Sequence, residues 1–600
     1  MPLDYSDRTD FENAERGFID RLDPCMVQAA DGRTIWDLQP YRYLAGECPD
    51  TVNPSLWRQA QLCLKNGLFK VTDGIYQVRG LDLSNMTLVE GDTGVIVIDP
   101  LVSAETADAA LALYRRNRGD WPVTAVIYTH SHADHFGGVE GVLPDGAGDV
   151  PILAPEGFLG HAVSENVYAG VAMTRRADYM YGMLLDQSPT GQVSTGLGIA
   201  TSTGSLGLIP PTVDITRTGQ VEIVDGVRIV FQITPNTEAP AEMNFHFPDR
   251  RALCMAENAT HNLHNLLTLR GALVRDPRAW SRYLNEAVEL FGADTDVAFA
   301  SHHWPVWGTG NVVRFLAEQR DLYAYLHDQT LRLLNTGLTG VEIAEDFTLP
   351  PTLDAAWHAR GYYGSVSHNV KAIYQRYLGW FDGHPSSLWA HPPQAAATRY
   401  VDVIGGQQAV RDKAKDYADA GDLRFAAELL KHAVFADPND AAARDALAEV
   451  YDKLGYGCEN ATWRTFYLTG AYELRHGVKP SPVTTAGMAA ALTVQQLFDS
   501  LAVRLDGPRA AAESLVIDWR FTDSGTTVRL TLSNGALIQT ENPKSPATPD
   551  LTITLTEREL LGLLATQRLD GIDHDGDPAA LPRLMGLLET PNEAFAVVTP

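Results

Sequence analysis

The stretch Thr129–Gly138 reads THSHADHFGG and concentrates three histidines and one aspartate between positions 130 and 135. The apolar, partly β-branched run Ala125–Tyr128 precedes it and predicts a buried strand, so these side chains follow the end of a strand. Side chains alternate along an extended chain, which puts His130 and His132 on the same side. Zinc accepts imidazole and carboxylate ligands, and the spacing predicts a site for two adjacent metal ions.

The length of 600 residues exceeds what one hydrophobic core supports, and we expect three or four domains. A hydrophobic content of 45% and a charged content of 20% are ordinary for folded domains. The formal net charge of −28 argues against a nucleic-acid partner, because such proteins carry a basic patch and none is evident here.

The amino-terminal sequence MPLDYSDRTDFENAERGFIDRLDPC has neither a basic start nor an apolar segment of the kind found in secretory signals. No run of about 18 apolar residues occurs, so we expect no membrane span and a cytoplasmic location. The five cysteines are odd in number and lack CxxC spacing, which argues against a disulfide framework or a thiolate zinc site.

The segments that flank the histidine-rich stretch predict a layered α/β fold. Strands are expected at 75–78, 86–90 and 95–98, with a hairpin turn at 91–94. A helix over 104–116 then returns the chain to the strand before Thr129. This order indicates an αββα sandwich. The insertion at 156–215, with its aromatic and methionine side chains, is expected either to act as a lid or to form an ordinary core helix.

The carboxyl-terminal half predicts two further domains. Tyr417–Asp422 and Tyr451–Gly455 recur 34 residues apart with helical segments between them, which indicates tetratricopeptide-like helix pairs. Two such pairs need a cover for their apolar faces, either from the chain or from a second subunit. After residue 479 helices and strands alternate as an α+β unit that resembles sterol carrier protein type 2 domains.

Long blocks of sequence carry a closer resemblance. The stretch THSHADH resembles the motif of the metallo-β-lactamase superfamily, whereas Thr237–Ala272, Ser301–Pro305 and Gly361–Gly383 resemble the zinc-dependent alkylsulfatases. The similarity covers nearly the whole chain. It implies a catalytic domain with an amino-terminal arm at 1–335, an α-helical dimerisation domain at 336–478 and a sterol-carrier-like domain at 479–600, in a homodimer.

The resemblance also implies two zinc ions per chain and assigns their ligands. Spacing alone does not decide between His302 and His303, and iron or manganese could also occupy such a site. The ligands implied by the family pattern are His130, His132 and Glu238 for one ion, Asp134, His135 and His302 for the other, and Glu257 between the two.

The implied reaction is hydrolysis of an alkyl sulfate to alcohol and sulfate by an activated water. Asn265 and Arg270 are the expected sulfate contacts, because an amide and a guanidinium donate hydrogen bonds to an anion. His368 is the expected general acid, with tyrosines near Tyr362 and Tyr363 as alternatives. Two other functions fit the same sequence: another hydrolase of the superfamily, such as a thioesterase or lactonase, or a lipid carrier with a vestigial metal site.

Overall fold

The structure is a computed structural model that describes residues 3–164, 168–481 and 492–600, and the chain divides into two compact units. The first unit comprises Met1–Ala162, Ala172–Thr484 and Ala594–Pro600, and the second comprises Val163–Val171 and Thr485–Glu593. Among the helices within these ranges, none combines the length and the apolar character needed to cross a lipid bilayer.

Strands and helices alternate irregularly through the first unit. Its strands in chain order are β1 Phe18–Asp20, β2 Met26–Gln28, β3 Thr34–Asp37, β4 Gly67–Thr72, β5 Ile75–Arg79, β6 Met86–Glu90, β7 Val95–Ile98, β8 Val123–Ile127, β9 Ile152–Pro155, β10 Val213–Ile215, β11 Val221–Val224, β12 Val227–Ile233, β13 Met243–Phe247, β14 Ala252–Cys254, β15 Val297–Phe299 and β16 Val306–Trp307. The helices up to residue 476 are α1 Thr9–Glu15, α2 Pro54–Cys63, α3 Ala104–Arg118, α4 Val139–Val142, α5 Phe158–Val163, α6 Gly170–Tyr181, α7 Pro277–Phe291, α8 Thr309–Leu334, α9 Gly340–Asp346, α10 Pro351–Asp354, α11 Val366–Leu378, α12 Pro393–Ile404, α13 Gln407–Asp419, α14 Leu423–Ala436, α15 Ala441–Gly457 and α16 Ala461–His476.

Two sheets face each other in the first unit. Within the described residues, β1 and β4–β10 form an eight-stranded sheet, and β11–β16 form a six-stranded one. Apolar side chains of both sheets meet between them, among them Ile96 of β7 and Phe231 of β12. Every residue of β7 is buried, because a strand covered on both faces has no side open to water.

Helices cover the outer faces of this sandwich. Tyr114 of α3 contacts the ring of Tyr76 in the first sheet. On the other side, Trp280 of α7 and Leu316 of α8 pack with Leu253 of the second sheet. The predicted αββα sandwich is therefore confirmed, and the strands expected at 75–78, 86–90 and 95–98 correspond to β5, β6 and β7.

Helices α12–α16 follow one another as a bundle with its own apolar core, which includes Val410, Leu430, Leu447 and Leu474. The predicted helix pairs are present as α13 with α14 and α15 with α16. Asp422 begins α14 by accepting a hydrogen bond from the backbone N–H of Phe425, and Asp440 begins α15 by accepting one from Ala443.

The second unit is the predicted α+β domain. Its elements are α17 Val494–Ala502, α18 Gly507–Ala510, β17 Leu515–Phe521, β18 Thr527–Ser533, β19 Ala536–Glu541, β20 Leu551–Leu555, α19 Glu557–Thr566, β21 Asp573–Gly576 and α20 Ala580–Met585. Its sheet has the order β19-β18-β17-β20-β21, and Trp519 of β17 packs against Phe498 of α17. The resemblance to sterol carrier proteins stays a prediction.

The predicted lid at 156–215 contains α6, while residues 165–167 lie outside the described part of the chain. The Gly/Ser/Thr-rich part that follows α6 is less open than a surface lid would be. Ser194, Thr195 and Leu197 are all buried, and Gly196 approaches the backbone of Tyr362 too closely to admit a side chain.

Candidate metal centre

Four chain segments end at one edge of the sandwich and bring the predicted ligands together. The first histidines follow β8, and Glu238 follows the end of β12. Strands β14 and β15 are parallel neighbours with Cys254 opposite Phe299. Glu257 lies three residues after Cys254, and His302 lies three residues after Phe299. The register of the two strands therefore brings these two side chains next to each other.

The seven predicted ligands form two groups that share one residue. In each group the ligand-type atoms lie within 4.8 Å of one another, and Glu257 belongs to both. Nearly all of these side chains are buried, with Glu257 only 2% exposed. The two groups are His130, His132, Glu238 and Glu257, and Asp134, His135, Glu257 and His302.

The atoms that meet in these groups are imidazole nitrogens and carboxylate oxygens. The Nδ1 of His135 lies 2.9 Å from Oδ2 of Asp99, and Nδ1 of His302 lies 3.1 Å from the carbonyl oxygen of Leu83. Both partners can only accept, so each ring carries a proton on Nδ1, and in the neutral ring the lone pair of Nε2 faces inward. These Nε2 atoms lie 3.3 Å and 3.2 Å from Oε2 of Glu257.

This arrangement fits bound cations. The Nε2 atoms of His130 and His135 and Oε2 of Glu238 are buried without a hydrogen bond. Buried polar groups are normally satisfied, and an inward-facing set of imidazole nitrogens and carboxylate oxygens is what zinc and similar ions require. The residues present therefore suit a metal-binding site.

The electrostatics of the centre are dominated by the pairing of acids with imidazoles. Burial would raise the pKa of the Glu257 carboxyl, but His302 and the other surrounding imidazoles hold it well below its usual range. Burial would also raise the pKa of Glu238, and Arg275 is the main group that lowers it. Both glutamates are thus kept as carboxylates, which is the form that binds metal.

Asp99 is a functional residue that sequence reasoning missed. Its Oδ2 accepts hydrogen bonds from His135 Nδ1, from the Thr129 hydroxyl at 2.8 Å and from the Ser301 hydroxyl at 2.6 Å. Thr129 in turn lies 2.9 Å from Nδ1 of His130. Asp99 therefore orients both His130 and His135, and its position directly after β7, next to the strand that carries the motif, was the available signal.

Asn265 and Arg270 lie on the loop that follows Glu257, but their surroundings differ. The side-chain oxygen of Asn265 is buried and accepts a hydrogen bond from Arg275, which also donates to a carboxylate oxygen of Glu238. Arg270 is half-buried, with Nη1 3.6 Å from the sulfur of Met173 in α6. Arg275, which sequence reasoning missed, thus joins the predicted sulfate segment to a predicted metal ligand.

His368 contacts other groups than those its predicted role requires. Its Nε2 donates a hydrogen bond to the Leu267 carbonyl, and its Nδ1 accepts one from Trp463 Nε1 at 3.3 Å. Burial lowers the pKa of His368 to about 4, so the ring is neutral at physiological pH and its only proton is held by that carbonyl. These contacts argue against the predicted general acid.

Two tyrosines lie nearer to the centre. The hydroxyls of Tyr181 and Tyr363 are 3.1 Å apart, and the ring of Tyr363 packs edge-on against His264 with the ring centroids 4.9 Å apart. His264 Nε2 lies 2.8 Å from Oε1 of Glu257. Tyr362, the other tyrosine of this segment, instead bonds to Ser55 over 3.0 Å.

Three family profiles match the chain: metallo-beta-lactamase superfamily over residues 79–302, alkyl sulfatase dimerisation over 339–477, and alkyl sulfatase C-terminal over 482–600. A linear primary-alkylsulfatase of Pseudomonas sp. is 48% identical over 100% of this chain and 91% of its own length. An (R)-specific secondary-alkylsulfatase of Pseudomonas sp. is 44% identical over 100% of this chain and 92% of its own length.

A solved structure agrees with the sequence similarity. The stereoselective inverting sec-alkylsulfatase of Pseudomonas sp. superimposes with a TM-score of 0.97 at 44% identity, over 100% of this chain and 96% of that one. Similarity of this extent spans the sandwich, the helical bundle and the final α+β unit. The chain therefore belongs to the alkylsulfatase family of the metallo-β-lactamase superfamily.

Proposed function

We propose that the protein hydrolyses alkyl sulfate esters to the alcohol and inorganic sulfate. The observation that carries this proposal is the pair of buried ligand groups that share Glu257, in a chain similar over its full length to alkylsulfatases. Its relatives are named for primary and for secondary alkyl sulfates, so both classes belong in the test. The same similarity argues against the thioesterase, lactonase and lipid-carrier alternatives.

We propose that two zinc ions occupy the centre. When bound there, such ions would lower the pKa of a water to about 7 and so supply a nucleophile at neutral pH. The protein keeps Glu238 and Glu257 ionised and fixes the tautomers of His135 and His302 for this purpose. The proposed ligands are His130, His132 and Glu238 for one ion, Asp134, His135 and His302 for the other, and Glu257 for both.

Asn265 and Arg270 would bind the sulfate group. Because Arg275 holds the side-chain oxygen of Asn265, the amide nitrogen is the atom that Asn265 offers to a ligand. Arg270 supplies a planar guanidinium that can donate two parallel hydrogen bonds to an anion. Arg270 would thus provide local positive charge for an anionic substrate in a chain whose net charge is −28.

The alkyl chain would lie against an apolar cluster beside the centre. This cluster includes Leu83, Met180, Leu197 and Tyr363, with Leu269 at its border. Met180 belongs to α6, so part of the wall comes from the predicted lid. Flexible thioether and aromatic side chains adapt to chains of different length, which suits detergents with an unbranched tail.

A leaving alkoxide would need a proton if the S–O bond breaks, whereas sulfate would leave with little help if the C–O bond breaks. We favour the Tyr181–Tyr363 hydroxyl pair over His368 as the proton source, because that pair lies beside the His264–Glu257 contact. Hydrolysis in oxygen-18 water decides between the two bonds: label in the alcohol means C–O cleavage, and label only in the sulfate means S–O cleavage.

The decisive experiment combines metal analysis with product analysis. Purified protein should contain two zinc ions per chain and release sulfate from hexyl, dodecyl or secondary octyl sulfate. His132→Ala should abolish sulfate release while leaving the circular dichroism spectrum unchanged. Zinc-loaded protein that releases no sulfate from any of these esters would overturn the proposed reaction.

We also propose a homodimer. The region matched by the dimerisation profile exposes large apolar side chains, including Trp380 at 77%, Trp389 at 96% and Val403 at 84%. Exposed apolar groups at this density in one region indicate an association surface. Light scattering should give twice the chain mass, and Trp389→Ser with Val403→Ser should shift it towards the monomer. Ile223→Ser, at an apolar site on β11 that is 73% exposed, should leave the mass unchanged.

A further inference from the structure

Glu242 lies directly before β13, is 1% exposed, and belongs to neither group of ligand-type residues. Its two carboxylate oxygens face different segments. Oε1 accepts a hydrogen bond from the backbone N–H of Glu257 at 3.1 Å. Oε2 accepts from the backbone N–H groups of Glu238 at 3.0 Å and Ala239 at 3.2 Å, and lies 2.8 Å from the Thr237 hydroxyl.

The sheet order explains how one side chain reaches both segments. Strand β13 lies between β12 and β14, and it runs antiparallel to both. The start of β13 therefore lies between the end of β12, which leads to Glu238, and the end of β14, which leads to Glu257. The backbone of Glu242 also pairs with that of His130 as an isolated bridge, so three ligand-bearing segments meet at this residue.

The chemistry of the position requires a carboxylate of this length. Donors approach from two sides, and only a group with two accepting oxygens satisfies both. A glutamine would turn its NH₂ group towards one set of N–H donors, and an aspartate is one methylene shorter. Burying an acid beside Glu238 and Glu257 is costly, because the group leaves water and lies next to two other acids. A residue that only filled space would be apolar.

We propose that Glu242 is a positioning residue that spaces the backbones of Glu238 and Glu257, so that both glutamates present their carboxylates to the metal ions together. The inference rests on the proposed metal site and concerns only how the protein builds it. Replacing a residue that hydrogen-bonds to metal ligands typically changes the metal affinity 10- to 100-fold.

The test uses the full-length holoenzyme and the variant Glu242→Gln. Zinc retention is measured by competition with a chelator at neutral pH, and the melting temperature of the metal-free form is measured separately. We expect zinc affinity to fall about 10- to 100-fold, with both ions lost together because Glu257 is shared. The metal-free variant should melt below the metal-free parent, because its amide meets N–H donors, but it should remain folded at the temperature of the zinc assay. Wild-type zinc retention in Glu242→Gln would overturn the proposal.

A matched control separates positioning from general destabilisation. Asp518→Asn removes another buried acid, which is 5% exposed and paired with Arg529 in the second unit. It should lower stability without changing zinc retention, and an equal loss of zinc in this variant would refute the role of Glu242. If Glu242→Gln does not fold, Thr237→Val removes a single donor to Glu242 and should weaken retention about fivefold; unchanged retention would then overturn the proposal.

The outcome is separable from that of the proposed function. Sulfate release by the wild-type protein tests the reaction, whereas the ratio of zinc affinities between variant and wild type tests Glu242. A wild-type protein that binds zinc but releases no sulfate would refute the reaction alone. Equal zinc affinities in an active enzyme would refute the positioning role alone.

Discussion

Asp99 and His135 form a 2.9 Å hydrogen bond in which the carboxylate Oδ2 accepts from the imidazole Nδ1. The partner of this bond determines which nitrogen of His135 faces the metal site, because a carboxylate cannot donate. The same oxygen also receives the Thr129 hydroxyl, which contacts Nδ1 of His130. A single acid outside the ligand set therefore orients imidazoles of both proposed metal sites.

Replacing this acid should weaken both sites. In Asp99→Asn, the amide offers one acceptor in place of two and can donate where Thr129 and Ser301 also donate. We expect zinc affinity to fall about 10- to 100-fold, as found for similar groups behind metal-bound histidines. Chelator competition measures the zinc affinity.

Asp225→Asn is the control, since Asp225 accepts hydrogen bonds from Thr93 and Thr124 at the far end of the sheet. An equal loss of zinc affinity in Asp225→Asn would contradict the role assigned to Asp99.

Removal of the metal should lower thermal stability. Without a cation, the inward Nε2 atoms and carboxylate oxygens of the centre face one another at 3.1 to 3.4 Å. A ligand that binds only the folded state at 100 times its Kd adds about 2.7 kcal/mol. We expect the melting temperature of chelator-treated protein to fall and to recover on addition of zinc. Identical melting curves with and without metal would contradict this expectation.

The sandwich was predictable because each of its strands is indicated by residues that are neighbours in the sequence. Strands β5–β7 show apolar, β-branched runs between turn residues, and the histidine spacing after β8 is itself a local signal. The family blocks supplied Glu238, Glu257 and His302, which look like surface residues when taken singly. Asp99, Glu242 and Arg275 were missed because their partners lie on other strands, and no spacing along the chain reveals such contacts.

The role of His368 stays a prediction for a related reason. A histidine in such an aromatic-rich block can either face the metal centre or hydrogen-bond to a neighbouring loop, and the sequence does not distinguish these two positions. In the structure His368 hydrogen-bonds to Leu267 and Trp463, so it contacts the loop that carries Asn265 and Arg270. The same limit applies to the two arginines, since nothing in their spacing separates Arg270 from Arg275.

Substitutions of Arg270 and of Arg275 should have different effects on activity and on zinc retention. Loss of charge-assisted hydrogen bonds to the sulfate in Arg270→Met should lower kcat/KM roughly 10- to 100-fold while zinc content stays normal. Arg275→Met leaves Glu238 without its buried ionic partner, a change that typically costs about 3–5 kcal/mol. It should therefore reduce zinc retention and stability as well as activity. Steady-state kinetics with metal analysis on both variants measures the contrast, and normal zinc retention in Arg275→Met would contradict it.

His368 should govern acid stability instead of proton transfer. Its folded-state pKa of about 4 lies below the unfolded value of about 6.5. The unfolded chain thus binds more protons between these values, so the stabilising contribution is complete above pH ~6.5 and is lost as the pH falls towards ~4. The contribution is of the order of 3 kcal/mol.

The variant His368→Gln tests this assignment. Its melting temperature should depend less on pH between about 6.5 and 4 than that of the wild-type protein. Its kcat should fall less than tenfold, whereas loss of a general acid typically costs 10²- to 10⁴-fold. A drop of that size with an unchanged stability profile would restore His368 as the proton donor.

The role of the Tyr181–Tyr363 pair can be tested by comparing substrates whose leaving groups differ in their need for a proton. Burial raises the pKa of Tyr181, with Arg270 opposing and the site carboxylates adding to the shift, so the hydroxyl keeps its proton at neutral pH. If the S–O bond breaks, Tyr181→Phe should slow alkyl sulfates about 10²-fold or more but barely affect nitrophenyl sulfate, whose leaving group needs no proton. Tyr43→Phe is the control and should leave both rates unchanged, since Tyr43 is a half-buried tyrosine that donates a hydrogen bond to the Gln192 carbonyl. Equal slowing of both substrates by Tyr181→Phe would indicate a binding role in place of proton donation.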